Sequence, residues 1–404
     1  MQRKPTWSSL GQAGLLLNAF VTDALPRTTT SEQTMKLASF NVENMFDRAK
    51  ALNGATWADG RAALEAHAAL NALFNKPSYT AAVKTRMLKL LMEQGLLKTD
   101  EGPFLTLRKI RGTLLNRPKS GAVTVAASGR EDWIGWVELK SEPVEETATE
   151  NTARVIGAVD ADVLGVIEAE DRSTLRLFNE KVIRSVAPDA YEHAMLIDGN
   201  DERGIDVGIL TKKKYPILSI RSFVDAQDDK GRIFSRDCAE YQVGLPGGGS
   251  LFVLVNHLKS KGYGKQSDND AKRLRQAKKI REIYDRHVDE GHDLVAVIGD
   301  FNDTPNSDPL EPLLGNGSTL KDISEYQHFD NGGRERTHGN CAPSSKIDYI
   351  LLSPRLFSEV RSAQIERRGM WGGTNGSLWP HFDEVKGPKD AASDHAALVV
   401  DLGV

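Results

Sequence analysis

Six short strings hold the residues of this chain whose types and spacing could do chemistry. They are SFNVEN (39–44), VIEAED (166–171), VNHLKS (255–260), GDFND (299–303), KIDY (346–349) and SDH (393–395). Together they supply Asn41, Glu43, Glu168, Glu170, His257, Asp300, Asn302, Asp303, Asp348, Asp394 and His395. Oxygen donors dominate, with two histidines and no cysteine. Such a set suits a hard divalent ion, Mg²⁺ or Mn²⁺, rather than structural zinc. Gathered carboxylates also call for a cation, because unpaired buried anions are costly. A histidine titrating near neutral pH could move a proton at the same place. Any one string alone reads as turn chemistry at a strand end; six in order point to a shared site. His67, His193, His287 and His292 lie outside the strings, among ordinary helix or loop residues, and read as solvated.

The elements that must position these residues are short apolar runs alternating with helical periodicity. Strands are expected at Lys36–Val42, Val163–Ile167, Val207–Leu210, Ser250–Asn256, Leu294–Ile298 and Ile347–Leu352, each ending in a polar cluster. Helices are expected at Asn151–Val159, Arg172–Val186, Asp270–Glu290 and Asp308–Leu314. In the third, Leu274, Ala277, Ile280, Ile283 and Tyr284 share one face.

Two regions break this alternation. Residues 58–130 read as helical first and basic later, with Ala62–Phe74 rich in Ala and Leu. Thr80–Leu97 has a cap at Ser78 or Thr80 and a stop at Gly95. Residues 84–130 carry ten Lys/Arg against three acids, a net of +7; residues 131–150 carry seven acids and one lysine, a net of −6. The string RKIRGTLLNRPK (108–119) has no interleaved aromatics, which argues against base stacking. The second region, Arg367–Ala392, is rich in Gly, Trp and Pro and reads as a long ordered loop. Trp133, Trp136, Trp371 and Trp379 read as core anchors in preference to stacking platforms.

The chain has 404 residues, 40% hydrophobic and 27% charged, with a formal charge of −4. A disordered chain and a histone-like basic binder are thereby excluded. Two cysteines, Cys238 and Cys341, leave room for one bridge at most and exclude a disulfide scaffold. No run of 18 apolar residues exists, so no transmembrane helix is expected. Residues 1–34 read as an N-terminal extension or a leader. Their apolar run, Ala13–Val21, is broken by Asn18 and lacks a good cleavage site. A cytoplasmic location is expected, with secretion as the alternative.

The six strings, from Asn41 to His395, resemble the endonuclease/exonuclease/phosphatase superfamily, which includes pancreatic-type DNase and the exonuclease III-type abasic-site endonucleases. GDFN and the terminal SDH are the most specific. The resemblance implies a four-layer α/β sandwich: two mainly antiparallel sheets flanked by helices. It also implies metal-dependent phosphoester hydrolysis. Asn41, Glu168 and Asp394 resemble the family's metal shell. Asp300 and Asn302 match the pair that positions water and phosphate. His395 matches the general base and Asp348 the carboxylate that orients it. His257 matches the second histidine of the DNase branch, which contacts the scissile phosphate or assists the leaving oxygen. Arg236, in Ser-Arg-Asp, resembles a phosphate-contacting arginine. Two departures matter. Ile167 stands where the abasic-site branch carries Gln, and KIDY replaces the Trp-Cys-Asp-Arg string of inositol phosphatases. Asn-Val-Glu-Asn-Met-Phe-Asp (41–47) looks most like bacterial, DNase-like members.

The expectation is therefore an N-terminal extension (1–34) and a catalytic domain (35–404) with a helical, basic insertion at about 58–150. The activity expected is that of a nuclease, with DNA as partner and RNA as a further substrate. Lys109, Arg111, Arg117 and Lys119 of the insertion would contact the polyanion, or else belong to a solvated helical face whose charges pair with the acidic stretch beside it. The rivals are a phosphatase or phosphodiesterase of small-molecule or lipid phosphoesters, and a non-catalytic nucleic-acid-binding module. Oligomeric state is not legible.

Overall fold

In the computed structural model, the described residues are 34–404, apart from 46, 53–56, 144, 188–189, 202, 263, 335 and 343. The expected extension or leader thus falls outside the described residues. The first half of the chain forms β1 (Met35–Asn41), β2 (Leu105–Gly112), β3 (Trp133–Leu139), β4 (Val163–Ala169), β5 (His193–Ile197) and β6 (Asp206–Thr211). The second half forms β7 (Ile217–Arg221), β8 (Cys238–Gly244), β9 (Ser250–His257), β10 (Val295–Asp300) and β11 (Lys321–Asp322). It is completed by β12 (Phe329–Asp330), β13 (Asp348–Leu352), β14 (Val360–Glu366) and β15 (Ala397–Leu402). The longer helices are α1 (Trp57–Phe74), α2 (Ala81–Glu93), α3 (Glu146–Val159), α4 (Arg172–Phe178) and α5 (Gln266–Asp289).

Two sheets dominate. One has seven strands in the order β12-β14-β15-β1-β4-β6-β5; the other has six, β7-β8-β9-β10-β13-β11. The pairs β1–β4 and β9–β10 are parallel, whereas most neighbours are antiparallel. The central strands are apolar on both faces, and their period-two alternation explains why. Leu37, Val163 and Ile167 of the first sheet meet Val253, Val255 and Ile298 of the second in one core. Ala38, Phe40, Leu164 and Val166 point the other way, against Val155, Ile156 and Leu175 of α3 and α4. Leu254, Val295 and Val297 point outward from the second sheet, against Ala277, Ile280 and Tyr284 of α5. Three cores between four layers make the α/β sandwich that the resemblance implied. Each fully buried aliphatic side chain in them contributes roughly 1.5–3 kcal/mol.

The segment between β1 and α3 builds a core of its own. Leu70 and Phe74 of α1 and Met87 and Leu91 of α2 pack with Trp133 and Val137 of β3. Trp133 lies edge-on to Phe74, with centroids 4.8 Å apart. The two expected helices are present. Thr80 caps α2, accepting from the Val83 amide, and Gly95, at φ +73°, turns the chain just beyond it. The basic string, however, is extended: β2 pairs antiparallel with β3. Strand propensity there was hidden because Arg108, Lys109, Ile110 and Arg111 are all exposed, so no hydrophobic alternation marks them. The segment is rooted by antiparallel pairing of Asp47–Ala49 with Ser141–Pro143. That stem begins just past Asn41 and Glu43. Cys238 and Cys341 are both buried free thiols. Residues 367–392 form the expected long loop, with one short 3₁₀ turn at Pro388–Asp390.

Candidate active site

The strands deliver the six strings to one end of the sandwich. Asn41 ends β1, next to Ile167 of β4. His257 ends β9 opposite Asp300, which ends β10 and faces Asp348 at the start of β13. Gly299 permits the close packing of β10 on β9, because a Cβ there would sit 1.9 Å from the Asn256 carbonyl oxygen. Its φ of +132° also favours glycine. Ser393 closes the ring: its hydroxyl donates to the Asn41 carbonyl (2.8 Å) and accepts from the His395 amide (2.9 Å). The Asp394 amide donates to Glu43 Oε2 at 2.9 Å.

Four non-glycine residues in these strings have left-handed backbone: Glu43 (φ 51°), Asn44 (52°), Glu168 (69°) and Asn302 (53°). Each such conformation costs on the order of 1–3 kcal/mol and persists only when its surroundings hold it. At Glu168 the cause is visible. The β4–β6 register passes from Ala169 to Ile167 and leaves Glu168 unpaired in a bulge. Bulges re-aim side chains beside active sites.

The side chains converge. Asn41 Nδ2 donates to Asp300 Oδ2 (3.2 Å), and Asn302 donates to Asp300 through its amide (2.8 Å) and its Nδ2 (3.1 Å). His395 Nδ1 lies 2.9 Å from Asp348 Oδ2, leaving Nε2 to face Asp394 Oδ1 at 3.6 Å and Asp300 Oδ2 at 4.0 Å. His257 Nε2 is 3.6 Å from both Glu168 Oε1 and Asp300 Oδ2. Arg236 is buried and pairs with Asp201 (Nε–Oδ2 2.9 Å), while its Nη1 donates to the Leu258 carbonyl. Arg203 binds the same Asp201 carboxylate through two nitrogens.

Electrostatics follow from this crowding. Burial, followed by the Asp348 charge, pushes Asp300 up to about 7. At His395 burial opposes protonation, but the Asp348 and Asp394 charges, the hydrogen bond to Asp348 and Asp300 outweigh it, so its pKa stands well above the ordinary value. Burial, reinforced by the Arg236 and Arg203 charges, holds His257 well below it and therefore neutral. The same causes push Lys259 down to about 8. Glu168, Asp300 and Asp348 have no Lys or Arg ion-pair partner among the described residues. Glu168, Asp300 and Asp348 with the two amide side chains Asn41 and Asn302 make an oxygen-rich donor set of the kind a divalent metal takes, and these residues fit one.

The structure gives two expected residues, Asp303 and Arg117, and one further acid of the strings, Asp171, roles outside this cluster. Asp303 turns away into a buried pair with Arg273 (2.9 Å). Asp171, of the VIEAED string, caps α4 by accepting from Thr174. Arg117 donates to the carbonyls of Leu96, Leu97 and Thr99 and pairs with Asp100. Lys109, Arg111 and Lys119 are exposed. One site residue escaped the sequence reading. His338 Nε2 lies 3.1 Å from Asp394 Oδ2, and its ring stands 4.7 Å from that of His395. Its backbone bridges to His395, which the sequence separation conceals. The Asp394 charge and hydrogen bond overcome burial and raise its pKa.

A two-sheet sandwich bearing a carboxylate–histidine pair beside a cation-requiring cluster defines a phosphoester hydrolase class. The sequence profile of the endonuclease/exonuclease/phosphatase family matches residues 145–395, and the chain belongs to this family. Family members are phosphoesterases that use a divalent metal. Among solved structures, the chain is similar to an endonuclease/exonuclease/phosphatase from Bacteroides vulgatus. The two are 18% identical over 64% of this chain and 90% of that one, with a TM-score of 0.44. It is also similar to the mannosyl-6-phosphatase Bt3783 of Bacteroides thetaiotaomicron (17% identity, 63% and 90% covered, TM-score 0.45). A third is the human Nocturnin catalytic domain with bound sulfate (14%, 64% and 87%, 0.45). No curated protein matches the chain. Among the described residues no helix is long and apolar enough to cross a membrane.

Proposed function

We propose that this protein is a divalent-metal-dependent phosphodiesterase acting as a nuclease, with DNA as its main substrate and RNA as a second. The observation that carries the hydrolytic reading is the His395–Asp348 pair: a carboxylate fixes the imidazole proton on Nδ1 and leaves the Nε2 lone pair facing into the carboxylate cluster. Water attacks phosphorus as Nε2 takes its proton, the new P–O bond forms, and the P–O bond to the leaving alkoxide breaks. Asp300 and Asn302 align the water and the phosphate. His257, held neutral, is suited to hydrogen-bond a phosphoryl or leaving oxygen rather than to deliver a charge. Glu168, Asn41 and Asp394 would hold Mg²⁺ or Mn²⁺, which when bound neutralises phosphoryl charge.

The insertion supports the choice of a polyanionic substrate. Its β2–β3 ribbon exposes Lys109 and Arg111 on both sides of Ile110, which is bulged out and 72% exposed. Trp136 of β3, 39% exposed, sits opposite Arg108 in the register. The neighbouring strand thus supplies the aromatic that the basic string lacks. Core anchoring holds for Trp133 but not for Trp136. The ribbon belongs to a unit whose stem leaves β1 beside Asn41 and Glu43. A phosphatase or phosphodiesterase for small or lipid phosphoesters is the second reading, in which the insertion only covers the site.

The test is incubation with supercoiled plasmid, linear duplex and single-stranded oligomers, in Mg²⁺, Mn²⁺, Ca²⁺ or EDTA. Metal-dependent nicking of the circle is expected. Turnover of a chromogenic phosphodiester with no cleavage of any nucleic acid would overturn the nuclease reading.

A further inference from the structure

The C-terminal end of α5 holds a second group of metal-binding side chains that the hydrolytic chemistry does not use. His287, Glu290 and His292 place one ligand atom each within 4.8 Å of one another. The sequence reading had all of these histidines solvated. The structure buries His287 to 2% exposure and lays it against Phe252 of β9, centroids 4.3 Å apart. His292 packs on the same ring at 4.5 Å.

The tautomer of His287 is the telling feature. Its Nε2 is 3.0 Å from Glu240 Oε2, a buried carboxylate that Arg286 also contacts. A carboxylate already paired with Arg286 accepts, so Nε2, the ring nitrogen facing it, is its donor, with Arg286 Nη2 3.3 Å from the same nitrogen. Nδ1 of the same ring is buried and has no hydrogen-bond partner. Metal-ligating histidines show this arrangement: the second ring nitrogen donates to a carboxylate that fixes tautomer and orientation. The partial negative charge at a helix C-terminus favours a cation at the same spot.

We propose that His287 Nδ1, Glu290 and His292 form a site for a borderline transition metal, Zn²⁺ above all, with Glu240 as the orienting carboxylate. Two imidazoles and one carboxylate suit Zn²⁺ and its neighbours and do not suit Mg²⁺ or Ca²⁺. The site is separate from the hydrolytic one. Phe252 lies near the start of β9 and His257 at its end, about 16–17 Å apart at roughly 3.3 Å per residue. His292 precedes β10, whereas Asp300 ends it. A metal here would tie the end of α5 to the entry of β10, a structural clasp rather than a reaction centre.

The test is isothermal titration of the metal-stripped full chain, without a histidine tag, using Zn²⁺ alone, alongside His292→Ala and Glu290→Gln. Glu290 is exposed and His292 half-buried, so Glu290→Gln is the variant expected to fold without loss of packing. The expected result is that the wild-type chain binds one more equivalent of Zn²⁺ than either variant, and that Zn²⁺ raises its unfolding temperature by more than it raises the variants'. Mg²⁺-supported hydrolysis should be the same in all three proteins. Equal stoichiometry and equal thermal response in wild type and variants would overturn the proposal.

Discussion

His395 donates through Nδ1 to Asp348 while its Nε2 looks toward Asp394 and Asp300, so one imidazole is fixed by one carboxylate and aimed at two others. Its opposite faces are therefore assigned before any substrate arrives. His395→Ala is expected to lose on the order of 10³-fold or more in kcat, because proton transfer and the charge that supports it disappear together. Asp348→Asn should lose less and shift the pH profile. Asp348 raises the His395 pKa, so its removal moves the acid limb of kcat/KM to lower pH. An unmoved acid limb in Asp348→Asn would detach Asp348 from the base.

The left-handed Glu168 separates stability from function. Glu168→Gly relieves the backbone and is expected to raise stability by about 1 kcal/mol in denaturant unfolding. Glu168→Gly and Glu168→Gln should both weaken divalent-ion binding in calorimetry. A loss of stability in the glycine variant would show that φ +69° carries no strain.

His338 is expected to act through Asp394. His338→Gln should lower kcat by about 10–100-fold, with KM little changed, if it orients that carboxylate as partners of metal ligands do. Unchanged kcat would leave His338 a packing residue only.

Metal-free stability should fall as pH rises above about 6.5; below that, His257, held well under its ordinary value, acts in the opposite direction. His338 and His395 have raised folded pKa values. Their contribution is full below the unfolded histidine value of about 6.5 and is lost as pH rises through the folded values. Asp300, raised to about 7, acts in the same direction: ionising it costs more in the folded state, so stability declines from about pH 4 to above 7. Thermal unfolding in EDTA across pH 5–9 checks this, and added Mn²⁺ or Mg²⁺ should flatten the decline. A metal-free curve that is flat or rising from pH 7 to 9 would contradict these shifts.

On the ribbon, neutralising Lys109, Arg111 and Lys119 together should lower DNA affinity and reduce the salt slope by roughly 0.9 per lost phosphate contact. Arg117→Gln should instead cost stability, since its guanidinium serves the carbonyls beyond α2. An unchanged salt slope in the triple variant would return the ribbon to a solvated role.

Much of this architecture was legible in the chain itself. Val163–Ile167, Ser250–Asn256 and Leu294–Ile298 announce buried strands because both faces are covered, and the six polar strings announce the site only by occurring together, since any one alone reads as turn chemistry. Chemistry stated by residue type and local order is what the sequence determines alone. It could not show that β2 is a strand, since its exposed residues carry no alternation. Nor could it show that His338 reaches Asp394, that Trp136 stands opposite Arg108, or that His287 is buried against Glu240. Those pairings join positions that are distant along the chain or one strand apart. They were decided only by sheet register and helix packing, which no local pattern encodes.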